Sequence, residues 1–429
     1  MDRNDEKWSG RMRVTRRIKR LFYTYGWFLF VVVLGIGTPV SGQVFSIVEA
    51  EGKPKLRRIT KAGSTGQETT ESIHYVKPAW SPDGRFLAFE TLTDKQRLLF
   101  VYGEEAKRAC ELTSMQAAAS NPMLPDFGIA PTANFDLTWA SSNPGLFTFV
   151  GSGSKGHFGL YSSRVDLLRN KIQAVGDNIR GGQEGTPYVA FPDYHPEKEF
   201  LVFCQGKKAD IMEEPRLDLY WQDNNRRANP FTDMDNLPQL QPSFSPARGG
   251  DAIVFTGIDE GNNDIYRMDI SVEMLPDFTD VSVIGGVTRL TSGPSSEGRA
   301  RWSPNGEKIA FLSDKGQNKN EWALYVIGAD GKSAPIHLVD RVLGEDYPEW
   351  HKDGKHIFFV KILEEKQNPI QYVNVETRQV GTLMTGTALH THLDIDDKSG
   401  AKISFCARGK KTDSNLTWLK LYVADLEIK

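Results

Sequence analysis

A short phrase, Pro78-Ala79-Trp80-Ser81-Pro82-Asp83-Gly84, recurs along the chain. It returns as Ala300-Arg301-Trp302-Ser303-Pro304-Asn305-Gly306 and again as Tyr347-Pro348-Glu349-Trp350-His351-Lys352-Asp353-Gly354. Each copy leads into an apolar run (Phe86-Leu87-Ala88-Phe89, Ile309-Ala310-Phe311, Ile357-Phe358-Phe359-Val360), a polar gap and a second apolar run that holds an aromatic. Fainter copies fill the intervals. Aligned on the residue before the turn, they give Trp80, Trp139, Tyr194, Phe244, Trp302, Trp350 and, at a degenerate last copy, Ile395. That makes seven units, 45 to 59 residues apart. A fixed internal period of this length marks a repeat architecture and constrains the fold more than any composition does.

The apolar runs are four to six residues long, too short for helices and suited to strands buried on both faces. The turn phrase has its own chemistry: Pro presets φ, Asp83 caps its own backbone, and Gly84, Gly306 and Gly354 supply φ > 0. Four short antiparallel strands cannot cover both of their faces alone. Radial stacking of such sheets does so and protects most edges. The expected fold is all-β: a β-propeller of seven four-stranded blades, with six or eight as alternatives. Trp80, Trp139, Phe244, Trp302 and Trp350 are expected between neighbouring blades. The last copy ends at its third strand. Residues 55–60, Lys-Leu-Arg-Arg-Ile-Thr, resemble the outer strands that end in Leu112-Thr113 and Leu290-Thr291. They are expected to complete the last blade and close the ring, and residues 44–48 could add one more strand.

Ahead of the repeats lies an address. Residues 11–20 are strongly basic, residues 21–37 are apolar, and Thr38-Pro39-Val40-Ser41-Gly42 supplies small residues before a cut after Gly42. This is the layout of a secretory signal, with an uncleaved membrane anchor as the alternative. Both place the remainder outside the cytoplasm, periplasmic or secreted. The division is therefore 1–42 leader and 43–429 propeller. Net charge is −3, so no global positive field exists to hold nucleic acid. Cys110, Cys204 and Cys406 form no disulfide framework or C-x-x-C knuckle, and Cys204 and Cys406 read as strand thiols.

No G-x-S-x-G elbow, H-E-x-x-H or Walker loop occurs, and no catalytic residue is assigned. Asp259-Glu260-Gly261-Asn262-Asn263-Asp264 has the composition of a calcium loop but the spacing of a solvated hairpin. Among the histidines, His390-Thr391-His392 precedes the last unit. Two His at i, i+2 of an extended segment point the same way and could share a metal, with His195 in the corresponding region of the third unit. Ordinary polar loop positions are the alternative.

The W-S-P-D-G-x-x-I-A-F core followed by an I-Y strand resembles the TolB/WD40-like (PD40-type) propeller repeat over residues 44–429. That resemblance implies an envelope-associated role in protein interaction. The His390-x-His392 pair, with Leu201-Val202-Phe203-Cys204-Gln205-Gly206, is similar to segments of the oligogalacturonate lyases. Those are seven-bladed propellers that use such a pair to bind a divalent metal. The expectation is a non-enzymatic exported propeller that binds or scaffolds a protein, glycan or cell-envelope partner and needs no cofactor. The alternative is a lyase acting on acidic sugars, with a divalent ion such as manganese on His390, His392 and His195.

Overall fold

The computed structural model describes residues 44–60, 63–64, 73–93, 97–111, 134–143, 145–152, 158–166, 171–172, 178–181, 188–206, 216–223, 228–231, 237–247, 250–259, 261–275, 279–319, 321–363, 368–408 and 418–429. The leader, the Leu112-Thr113 pair and the interior of the turn at 260 lie outside them. Residues from Gly42 onward form one compact unit. Among the described residues there is no helix, and so none long and apolar enough to cross a membrane.

Seven antiparallel sheets follow one another, six with their strands in chain order from the inside outward and the seventh with its outer strand drawn from residues 56–60. Their inner strands are His74–Trp80, Asn134–Trp139, Val189–Tyr194, Gln239–Phe244, Glu297–Trp302, Glu349–Trp350 and Ala388–Ile395. Each sheet packs on the next, and the seventh packs on the first, so the ring is closed. Seven blades is the number expected from the repeats.

Alternation along each second strand explains the stacking. In Phe86–Leu92, Phe86 and Ala88 join a core shared with blade 2, while Leu87 and Phe89 join one shared with blade 7. The described core residues fall into seven such clusters, one at each interface between blades. Every blade also carries one aromatic pair directly across its second and third strands. The pairs are Phe89–Phe100, Phe149–Tyr161, Phe203–Tyr220, Phe255–Tyr266, Phe311–Tyr325, Phe358–Tyr372 and Phe405–Tyr422, with ring centroids 5.4 to 6.1 Å apart. Offset rings at this range add roughly 0.5–1.5 kcal/mol to the area each buries. The aromatics before the turns sit between blades as expected, and three indole N–H groups donate to a carbonyl of the preceding blade: Trp139 to Ala79, Trp302 to Ser243 and Trp350 to Arg301. Cys204 and Cys406 are buried strand thiols whose pKa burial raises.

The turns are built as their residues dictate. The Ser81 hydroxyl donates to Asp83 (2.7 Å) and accepts the Phe86 N–H (2.9 Å), and Gly84 takes φ 67°. Ser303, Asn305 and Gly306 repeat the arrangement in blade 5.

The predicted closing strand is present. Leu56–Thr60 pairs with Lys420–Ile428 and completes the last blade. Phe45–Ile47 pairs with the end of the same strand, Leu426 to Ile428, which extends that blade and leaves the blade number unchanged. The Phe45 ring is fully buried against His351, His356, Phe358 and Tyr372 of blade 6, and the Tyr372 hydroxyl accepts the N–H groups of Val44 and Phe45.

Candidate functional site in the axial channel

Six of the seven inner strands carry a bulge at the same place. Pairing skips between Val76 and Ala79, Phe135 and Thr138, Ala190 and Asp193, Leu240 and Ser243, Gly298 and Arg301, and Thr391 and Asp394. The residue three before the turn aromatic then adopts left-handed backbone. These residues are Lys77, Asp136, Phe191, Gln241, Arg299 and His392, with φ between 47° and 58°. Blade 6, whose paired inner strand is shorter, places Tyr347 at this position. Each non-glycine residue in this region costs on the order of 1–3 kcal/mol, and such strain persists only where the surroundings enforce it. Bulges re-aim side chains and are frequent beside functional sites.

Six bulged residues and Tyr347 line this level of the inner strands, with Phe191 packed against the core between blades 3 and 4. All seven are partly solvent-accessible, although the residues beside them are mostly buried. Adjacent members touch. Lys77 Nζ lies 2.8 Å from Asp136 Oδ1, Gln241 Oε1 accepts the Arg299 N–H at 3.1 Å, and the Arg299 guanidinium lies over the Tyr347 ring at 5.1 Å. Burial works against the Lys77 ammonium, but Asp136 and Glu90 outweigh it and leave its pKa raised. Burial, assisted by the charges of Lys77, Arg97 and Arg299, lowers the His392 pKa to about 3, so its imidazole is neutral at pH 7.

Two residues further along, the same strands form an acidic layer: Asp193, Glu349 and Asp394, with Arg301 among them. The Arg301 guanidinium lies over Tyr347 at 3.6 Å. Asp193 accepts the Phe244 N–H at 2.7 Å and Asp394 the Trp80 N–H at 2.6 Å, so each also ties its blade to the next. Burial pushes Asp193 to about 6 and, together with Asp397, holds Asp394 well above the usual carboxylate range. Glu349 is raised likewise by burial and the Asp394 charge. Asp346, beside Tyr347, accepts the His392 N–H at 2.7 Å, and burial raises it to about 7.

The three histidines singled out in the sequence occupy three different kinds of position. His195 follows the aromatic of blade 3 and stands where Ser81 stands in blade 1. It is fully buried, and its Nδ1 accepts the N–H groups of Glu197 (3.1 Å) and Lys198 (3.0 Å), as the serine hydroxyl does elsewhere. It is a turn cap, away from the axis. His390 is buried, with Nδ1 on the Asn368 carbonyl and Nε2 on the hydroxyls of Thr385 (2.7 Å) and Thr387 (2.8 Å). His392 faces the channel. Left-handed backbone at Leu389 and His392 breaks the simple alternation that would aim His390 and His392 together. Among the described residues no three His, Cys, Asp or Glu are grouped to hold a metal ion. Asp259 and Asn262 close a hairpin, with Asp259 and Asp264 both bound to Arg289.

The channel residues other than His392 were not foreseen. Across the seven copies this position reads Lys, Asp, Phe, Gln, Arg, Tyr, His, and the position before it varies as freely: Val76, Phe135, Ala190, Leu240, Gly298, Asp346, Thr391.

No family model matches the chain. Among solved structures it is similar to an oligogalacturonate lyase in complex with manganese, at 13% identity and TM-score 0.59, over 89% of this chain and 96% of that one. It is similar to a puromycin hydrolase S511A mutant complexed with PGG at 14% identity and TM-score 0.56, over 82% of this chain and 53% of that one. TolB from Acinetobacter baumannii aligns at 16% identity and TM-score 0.43, over 74% of this chain and 64% of that one. At these identities the likeness is one of fold, the propeller that the repeat implied.

Proposed function

We propose that the protein is an exported propeller that binds a protein, glycan or cell-envelope partner through its axial channel and performs no chemistry of its own. The observation that carries this reading is the contrast between positions of one repeat. The packing positions of the seven aromatic pairs keep aromatic residues in every blade. The position three before the turn carries seven different, partly accessible side chains, six of them on left-handed backbone. Packing alone gives no reason for that asymmetry, whereas recognition of an asymmetric ligand does. The basic and apolar leader in residues 11–37 supports a place outside the cytoplasm.

The test is capture of partners from an envelope extract with the full-length protein. Wild type is expected to retain a defined component that a Lys77→Gln, Arg299→Gln, His392→Gln triple variant loses while remaining folded. Capture of nothing, or equal capture by the folded triple variant, sinks the reading.

A further inference from the structure

The chain crosses from blade 4 to blade 5 through residues 290–296, which join the outer strand Thr279–Arg289 to the inner strand Glu297–Trp302. Two buried carboxylates, Asp264 and Glu297, hold this crossover, and Thr291 and Ser313 are buried with them. Thr291 ties the crossover to the third strand of blade 4. Its hydroxyl accepts the Ile265 N–H at 2.9 Å, and the Ile265 carbonyl accepts the Leu290 N–H at 2.8 Å.

Donors at this site are one short. The Arg289 guanidinium donates to Asp264 Oδ2 and, at 2.8 Å, to Asp259 Oδ2. The hydroxyls of Ser295 (2.6 Å) and Ser313 (2.8 Å) donate to Glu297 Oε1. Asp264 Oδ1 and Glu297 Oε2 remain. Both face the Thr291 hydroxyl, at 3.3 and 3.5 Å, and it has a single proton to give. The other ionisable groups nearby are Tyr266, under the Arg289 guanidinium, Asp314, which accepts the Ser296 N–H at 2.9 Å, and Tyr325. None of them donates to either oxygen. A proton between the two carboxyl groups supplies the missing donor, and like charges crowded into one site favour keeping it. Burial, with the Asp264 carboxylate, raises Glu297 above its usual range against the pull of Ser295 and Ser313. Packing does not require an acid here. Blade 4 has Gln239 at the corresponding position, and its Oε1 accepts the N–H of Leu219, the counterpart of Ile265, at 2.8 Å.

We infer that Asp264 and Glu297 hold one proton between them and form an acid-closed latch on residues 290–296, which loosens when that proton leaves. With both groups ionised, two buried charges face each other across Thr291, whose hydroxyl can satisfy only one of them. Separation hydrates both and releases the Ile265 N–H from Thr291. A carboxyl group raised above its unfolded value of about 4.3 stabilises the closed form fully below that pH, and the stabilisation is lost as pH rises through the folded value. The crossover runs directly into the strand that carries Arg299 and Arg301. The latch therefore makes the joint between blades 4 and 5 responsive to acid, whatever the protein binds.

The experiment is hydrogen exchange of the full-length protein between pH 5 and pH 8, read by mass spectrometry and corrected for the intrinsic pH dependence of amide exchange. In wild type, protection of Ile265 and of residues 290–297 is expected to fall at least tenfold from pH 5 to pH 8, and that of the segment around Gln239 by much less. Glu297→Gln keeps an acceptor for Ser295 and Ser313 and gives Asp264 a permanent N–H donor, so its protection is expected to stay high and flat. Asp264→Asn offers Glu297 the same donor from the other side and carries the same expectation. Circular dichroism establishes that each variant is folded. Wild-type protection that does not change with pH, or that falls equally around Gln239, would overturn the latch. So would a fall in the folded variants as large as in wild type.

Discussion

Lys77 and Asp136 occupy the same position in neighbouring blades, share the same left-handed backbone, and meet at 2.8 Å across the channel wall. The Lys77 side chain remains 40% exposed, so the ion pair is worth under about 1 kcal/mol, no more than the strain that places it there. Stability is therefore not the reason for these residue types. Lys77→Gly is expected to be more stable than Lys77→Ala by about 1 kcal/mol, because glycine adopts φ 47° without a Cβ clash. Lys77→Val should be worse than both. Urea midpoints measure the order, and alanine above glycine would show that the bulge is not strained.

The N-terminal clasp should control ring closure. Phe45→Ala removes a fully buried ring from between blades 6 and 7 and is expected to cost about 3–5 kcal/mol. Tyr372→Phe keeps the ring but strips the acceptor from two backbone N–H groups, at about 1–3 kcal/mol. Hydrogen exchange should show the outer strands of blade 7 opening first in both variants. Uniform exchange around the ring would contradict a clasp.

Stability should be greatest near pH 4 and fall toward neutral pH. Burial raises Glu90 and Asp346 to about 7, and Asp193 and Asp397 to about 6, above their unfolded values of about 4. The folded state therefore binds extra protons between about pH 4 and 7, and stability falls as pH rises through that window. Burial lowers His390 to about 4 and His392 to about 3, below an unfolded value of about 6.5. Those groups oppose the trend and withdraw stability as pH falls below about 6.5. Asp346→Asn should flatten that fall and His390→Gln should steepen it, each by on the order of 1–3 kcal/mol across its range. Denaturation midpoints at pH 4.5, 6 and 8 should fall in that order; a maximum at pH 6 or 8 counts against it.

Export has its own readout. Protein recovered from outside the cytoplasm should begin near Gln43, or, if the leader is kept, sediment with membranes through its apolar stretch. Intact chain from Met1 in a soluble cytosolic fraction would refute both.

The fold was readable because packing repeats itself. Trp80, Phe89 and Phe100 have counterparts in most units, and Leu56–Thr60 could be recognised as the strand that the last unit lacked. The site was far less legible, and His390, His392 and His195 show why. An i, i+2 argument assumes an unbroken pleat, but the bulge at His392 breaks the alternation without any glycine or proline to announce it. His195 looked polar and free, yet imidazole Nδ1 can replace the turn serine's hydroxyl, and His351 in blade 6 does the same for the Asp353 N–H. Arg299 and Tyr347 are each unremarkable in the sequence, and the position before them varies as freely from unit to unit.

The most direct measurement places a photoreactive side chain at position 347 in the channel or at position 274, where Met274 is exposed on the outer hairpin of blade 4. Each full-length variant is irradiated in cells. The channel account predicts one discrete adduct from position 347 and none from 274. Adducts from 274 alone would contradict it.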